Sequence, residues 1–161
     1  MAFNNDDIKY SCKSFSDLTL TELYEILQLR QVVFIVEQDC PYLDCDGKDQ
    51  KSYHVQAYLN DKLVAYTRLL PKGISYPNYS SIGRVVTHPD YRSTGLGKHL
   101  MEQSLNYMKS LMPSDTIKIS SQCYAIPFYE KFGFTAVGDE YLEDDIPHKA
   151  MILDIQNING I

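Results

Sequence analysis

The period of the apolar positions changes several times along the chain, and each change marks an element. Leu20, Leu23, Tyr24 and Leu27 recur at helical spacing behind Thr19-x-x-Glu22, which has the form of a capping box, so a helix is predicted from Thr19 with Arg30 near its end or on a following one. VVFIVEQ follows, and then DCPYLDCDGKDQKS, an Asp-rich loop with Pro and Gly that lies inside the domain. YHVQAYLN, KLVAYTRLL and SSIGRVVTH read as three strands of an antiparallel meander, with Asn60-Asp61 as a tight hairpin turn and PKGISYPNY as a longer connection. A helix is predicted from about Gly97 to Leu111, with Leu100, Ser104, Leu105, Met108 and Leu111 on one face and Pro113 beyond its end. TIKISSQ is a short strand, AIPFYEKFGF a short helix closed by Gly133, and AVGDEYLED and HKAMILDI are two last strands. The order is helices, three strands, helix, strand, helix, two strands, which predicts an α/β domain with a mixed, mostly antiparallel sheet flanked by helices.

Composition narrows the function classes. A chain of 161 residues with 44% apolar content fits one domain, 1–161, able to bury a real core. The net charge of -6, with dispersed basic residues, argues against nucleic acid and an anionic membrane as partners. No apolar run approaches the roughly 18 residues of a spanning helix, and MAFNNDDIKY is too polar for a signal peptide, so a soluble cytoplasmic protein is expected. Cys12, Cys40, Cys45 and Cys123 form no CxxC pair and have no His at zinc-ligand spacing, so they read as reduced thiols and no metal is expected. DCDGKD has the look of a calcium loop, but the first and twelfth ligand positions in that register are Tyr42 and Tyr53.

The stretch YRSTGLGKHL raises the question of a ligand. A Walker A loop would need Gly and Ser or Thr where Arg92 and His99 stand, and a dinucleotide turn would need a third glycine at Leu100. What is left is a glycine turn between a strand and a helix N-terminus, where free N–H groups and the helix dipole favour an anion such as a pyrophosphate. The alternative is a turn that merely starts a helix.

Two motifs in order carry a resemblance. RSTGLG, after IGRVVTHPDY and before a long helix, resembles the R-x-x-G-x-G acyl-CoA turn of the GNAT superfamily of N-acyltransferases, and AIPFYEKFGF resembles that family's A-x-x-F-Y-x-x-x-G-F. R-x-x-VF-x-VEQ, CPYLDCDG and EDDIPH are similar to the ElaA-like branch, so the resemblance spans nearly the whole chain. It implies the GNAT fold, with a sheet splayed by a bulge in its fourth strand, and acetyl-CoA as co-substrate. The amides of Arg92, Ser93, Thr94, Gly95, Leu96, Gly97 and Lys98 would take the pyrophosphate. Val85, Val86 and Thr87 would pair like a strand with the pantetheine arm, beside Phe128 and Gln122, the latter standing where many members have Asn.

Acyl transfer to an amine needs a neutral nucleophile, a donor for the developing oxyanion and a proton for the departing thiolate. The resemblance implies Tyr129 as the acid; a phenol of pKa about 10 can protonate a thiolate of about 8.5 within hydrogen-bond reach. The oxyanion donor would be a backbone N–H near Val86. His148 is the candidate base, with Glu37, Glu143, His54 and a water relay as rivals. Only four arginines stand against eleven lysines. Arg68 and Arg84 interrupt apolar strands, where an unpaired charge would be costly, and together with Arg30 they require anions. The partner is either internal, such as Glu37 or Asp46, or the carboxylate or phosphate of a substrate. Arg30, Arg84, Arg68 and Glu37 are therefore candidate acceptor-binding residues.

The expected function is an acetyl-CoA-dependent N-acetyltransferase for a small, anionic amine. A protein N-terminal or lysine acetyltransferase, a non-catalytic acyl-CoA-binding module and an acylhomoserine-lactone synthase are the alternatives, and a homodimer is left open.

Overall fold

The computed structural model describes residues 3–158. Strands β1 (Lys9–Ser14), β2 (Tyr53–Leu59), β3 (Lys62–Leu70) and β4 (Ser81–Thr87) form one antiparallel sheet in that order. Strands β5 (Thr116–Gln122), β6 (Thr135–Glu143) and β7 (Ile146–Asp154) form a second, ordered β5-β7-β6 and also antiparallel. The two meet through a parallel bridge between Ser80 and Ile117, where the Lys118 N–H donates to the Ser80 carbonyl at 2.9 Å. The mixed character of the sheet resides in that junction.

Helix α1 (Leu20–Arg30) opens on the capping box read from the sequence: the Thr19 hydroxyl accepts from the Glu22 N–H at 3.1 Å and the Glu22 carboxylate accepts from the Thr19 N–H at 2.9 Å. The helix winds on without a break into a π-helical stretch, Gln31–Glu37. Leu20 and Tyr24 are exposed, and the buried stripe is Ile26, Leu29 and Val33, because the C-terminal half of the helix is what packs on Leu63, Tyr66 and Val86 of β3 and β4.

Helix α2 (Leu96–Leu111) covers the other face of the first sheet with Leu96, Leu100, Met101, Leu105 and Met108. Leu111, expected on that face, is half-exposed at the last turn, while Ser104 is buried because its hydroxyl is satisfied by Thr67 Oγ1 at 2.7 Å and by the Leu100 carbonyl. Helix α3 (Ile126–Glu130) is one short turn, and Gly133 follows with φ +100°. Asn60 and Asp61 both take positive φ, as a tight β2–β3 hairpin requires.

The sequence pattern passed over β1. Tyr10 and Cys12 pack against the core while the intervening Lys9, Ser11 and Lys13 do not, so the first element is an edge strand of alternating polarity and the order begins with β, not α.

Candidate active site

A cleft of about 790 Å³ lies between the two sheets. One wall is β4, from Ile82 to Val85; the other is the end of β5, from Ile119 to Gln122. The strands share the bridge at Ser80 and then diverge, so the outer edge of β4 faces the cleft with its backbone groups available.

β4 carries a bulge. Tyr66 pairs with Val86 and Arg68 with Gly83, so Arg84 and Val85 together oppose Thr67, and Arg84 adopts φ +50°. The bulge places one extra residue in β4 beside the cleft and disrupts the β3–β4 ladder there. Val85 lines the cleft, whereas the Val86 side chain is buried against α1.

At the far end of β4, the glycine turn begins α2. Ser93 and Gly95 have φ +61° and +82°, and Thr94 Oγ1 donates to the Tyr91 carbonyl at 2.6 Å. The first helical hydrogen bond runs from the His99 N–H to the Gly95 carbonyl. The N–H groups of Leu96, Gly97 and Lys98 therefore have no acceptor within the helix and, together with its dipole, offer an anion site. A side chain built on Gly97 would meet nothing nearer than Thr87 Oγ1 at 3.8 Å, so the helix end is open to a ligand. These features fit the pyrophosphate of coenzyme A at the helix end and a pantetheine amide along β4. The Arg92 guanidinium is engaged elsewhere: it forms a two-point pair with Glu37, the last residue of the π-helical stretch, which holds the Glu37 carboxyl below its ordinary pKa.

The second wall brings Gln122, Tyr129, Glu143 and His148 to the same cleft. Tyr129 packs edge-on to Phe128 and Phe134, with ring centroids 5.2 and 5.9 Å away, and burial pushes its phenol up to about 12, so it is protonated at neutral pH. Phe128 is held in turn by Phe132 at 5.2 Å and is packed against the core. Gln122 pairs across the sheet with His148. His148 is buried on β7; its Nδ1 donates to the Ile146 carbonyl at 2.7 Å, which leaves Nε2 3.3 Å from Glu143 Oε2. Glu143 also accepts from Ser120 Oγ, which contacts the Tyr141 hydroxyl. A proton taken up at Nε2 would sit between the ring and a carboxylate.

His54, the other histidine considered as a base, is fully buried away from the cleft. Its Nε2 donates to the Asp49 carbonyl at 2.9 Å and its Nδ1 accepts from the Tyr66 hydroxyl at 2.7 Å, while burial lowers its pKa and keeps it neutral. It is part of the framework.

The arginines find internal anions, the first of the two kinds of partner expected for them. Arg30 is completely buried; Nε meets Asp44 Oδ2 and Nη1 meets Asp49 Oδ1, each at 2.8 Å, and Nη2 donates to the Asp44 carbonyl. Arg68 Nη1 reaches Asp46 Oδ1 and Asp49 Oδ1 at 2.8 Å. Arg84 Nε donates to Asp44 Oδ1 at 2.7 Å and Nη2 to the Asp44 carbonyl, which leaves Nη1 without a bond among the described residues. Of the three, Arg84 alone lines the cleft, with Lys48 as a second cation and Asp46, Glu143 and Asp144 as carboxylates. Burial would raise the Asp46 and Asp49 carboxyls, but the arginine bonds outweigh it and hold both below their ordinary values. The Asp-rich loop is thus an arginine clasp, and no cluster able to hold a metal occurs among the described residues. Asp44 and Asp49 were missed as site residues; the signal was three carboxylates in six residues of a chain with buried arginines.

The family model described as "Acetyltransferase (GNAT) domain" matches residues 28–155, and the chain belongs to the GNAT family of acyltransferases. Within it the chain is ElaA-like: it is 38% identical over 142 residues to the protein ElaA of Escherichia coli, covering 87% of this chain and 92% of ElaA. A UPF0039 protein of Schizosaccharomyces pombe is 43% identical over 151 residues, 92% of this chain and 99% of that protein. Among solved structures, an acyl-CoA N-acyltransferase from Pseudomonas aeruginosa superposes with a TM-score of 0.86 at 42% identity, covering 90% of this chain and 98% of that one. The fold extends to a CoA-dependent acyl-homoserine lactone synthase, BjaI, at TM-score 0.78 and 18% identity, over 93% of this chain and 84% of that one.

Proposed function

We propose that the chain is an acetyl-CoA-dependent N-acetyltransferase in which a small amine attacks the bound thioester directly. The observation that carries this reading is a cleft that sets the bulged edge of β4 opposite two proton-transfer groups, Tyr129 and His148, with an open helix N-terminus following the far end of the same strand. In this reading the amides of residues 92–98 hold the pyrophosphate and the backbone of Val85, Val86 and Thr87 pairs like a strand with the pantetheine. His148 Nε2 accepts the ammonium's proton and passes it towards Glu143. A backbone N–H of the bulge donates to the developing oxyanion, and the Tyr129 hydroxyl, protonated throughout the neutral range, donates to the thiolate. Gln122 and Phe128 support the cofactor side.

For the acceptor we propose an amine that also bears an acid group, met by Arg84 Nη1 and Lys48. Arg30 and Arg68 contribute nothing to this preference, since their charges are spent on Asp44, Asp46 and Asp49. Arg92 and Glu37 act as a pair bracing the turn.

The test is thiol release from acetyl-CoA across amino acids, other acidic amines, polyamines and peptides. Release with acidic amines ahead of polyamines supports the whole reading; polyamines ahead of every acidic amine overturn the acceptor class and leave the transferase. Acetyl-CoA should also raise the melting temperature of the parent, and Gly97→Glu should abolish the shift by placing a carboxylate at the helix end without backbone strain.

A further inference from the structure

The bulge in β4 is built on a residue poorly suited to it. Left-handed backbone disfavours any residue with a Cβ, and Arg84 occupies it at φ +50° next to the cleft. Something outside the strand must hold it there. The Arg84 side chain is tied at two atoms to Asp44, Nε to the carboxylate at 2.7 Å and Nη2 to the carbonyl at 3.0 Å, with a longer contact of 3.4 Å from Nη2 to Asp46 Oδ2. Asp44 is immobile in turn, because its other carboxylate oxygen accepts from Arg30 Nε at 2.8 Å and the same carbonyl accepts from Arg30 Nη2. Arg30 is wholly buried at the end of α1. A continuous chain of short bonds therefore runs from α1 through Asp44 to the residue that makes the bulge.

We propose that Asp44 is a positioning residue: it fixes Arg84 in its left-handed conformation and so keeps the bulge N–H groups aimed into the cleft. Its effect is on the rate of the chemical step and not on cofactor binding. The inference rests on the acyl-transfer reading above, and it assigns Arg84 a backbone role in addition to any contact with the acceptor.

Two substitutions at one position separate the roles, because Arg84→Ala and Arg84→Gly both remove the guanidinium but only glycine accepts positive φ at no steric cost. The expected result is a kcat for Arg84→Ala roughly tenfold below that of Arg84→Gly, equivalent to about 1.4 kcal/mol, with the KM for acetyl-CoA unchanged in both. Asp44→Asn should lower kcat with the same unchanged KM, and should cost nothing further when added to Arg84→Gly. Amide exchange at Val85, Val86 and Thr87 should be faster in Arg84→Ala than in Arg84→Gly. Equal kcat values for the two Arg84 variants, or an equal loss confined to the acceptor KM, overturn the proposal. If the parent releases no thiol from acetyl-CoA with any amine, the acyl-transfer reading fails by itself; the exchange comparison still decides whether the clasp holds the bulge, and equal rates refute it.

Discussion

Arg30→Met is expected to unfold the protein more easily while leaving its choice of acceptor unchanged. The guanidinium has no solvent exposure and uses three nitrogen atoms on Asp44 and Asp49. Breaking a buried pair by removing one partner typically costs about 3 to 5 kcal/mol, chiefly from the charge left behind. Here neither carboxylate is abandoned: Asp49 keeps Arg68 at 2.8 Å and Asp44 keeps Arg84 at 2.7 Å. The lower end, about 3 kcal/mol, is therefore the expected loss. For a domain of this length that corresponds to a fall in Tm of roughly 6 to 12 °C. Differential scanning calorimetry of the parent and variant gives the shift, and thiol-release assays on protein held below its Tm give the ratio of kcat/KM for an acidic and a neutral amine. A Tm within about 2 °C of the parent, together with a selective loss for the acidic amine, would show that Arg30 faces the substrate and would refute the clasp.

Tyr129→Phe should lower kcat by about 10²-fold or more with little change in coenzyme A affinity, since only thiolate protonation is lost; an unchanged kcat removes the phenol from the mechanism. His148→Ala should abolish the acidic limb of the kcat/KM–pH profile, and a limb that persists with the same midpoint transfers the base role to Glu143 and is checked with Glu143→Gln. Stability should fall in two stages as pH drops. Burial depresses the folded-state pKa of His54, so its contribution is complete above the unfolded value of about 6.5 and is lost as pH falls below it. Asp46 and Asp49 are also depressed, so theirs is present above about 3.9 and is lost as pH falls towards the lower folded-state values. Denaturant titrations from pH 8 to pH 3 read both stages, and a His54→Gln variant should lack the first.

Local signals carried most of the element order. Thr19 and Glu22 cap a helix within four residues, Asn60-Asp61 turns a hairpin within two, and the two glycine-containing motifs each lie within one turn and its helix. Features made between distant residues did not show. The partners of Arg68 lie 19 and 22 positions away and those of Arg84 lie 38 and 40 away, so the sequence required an anion without choosing between a side chain and a substrate. The left-handed Arg84 left no trace in residue type, because arginine has no preference for that conformation. Leu20 and Tyr24 follow the helical period of α1 yet stay exposed, because the C-terminal half of the helix is what packs on β3 and β4. β1 was missed because an edge strand with lysines on its outer positions resembles a polar leader.

The seam between the two sheets gives the molecule two mechanical parts. On one side, four strands share continuous ladders and carry the helices α1 and α2; on the other, β5, β6 and β7 form a ribbon joined to them in the ladder direction at the Ser80–Ile117 pairing. The ribbon is expected to open as its own exchange unit, at lower free energy than the rest, with the outermost β6 losing protection first. A molecule spanning from β4 to β5 would rivet the parts together. Occupancy of the cleft would then be legible far from it, as slowed amide exchange along β6.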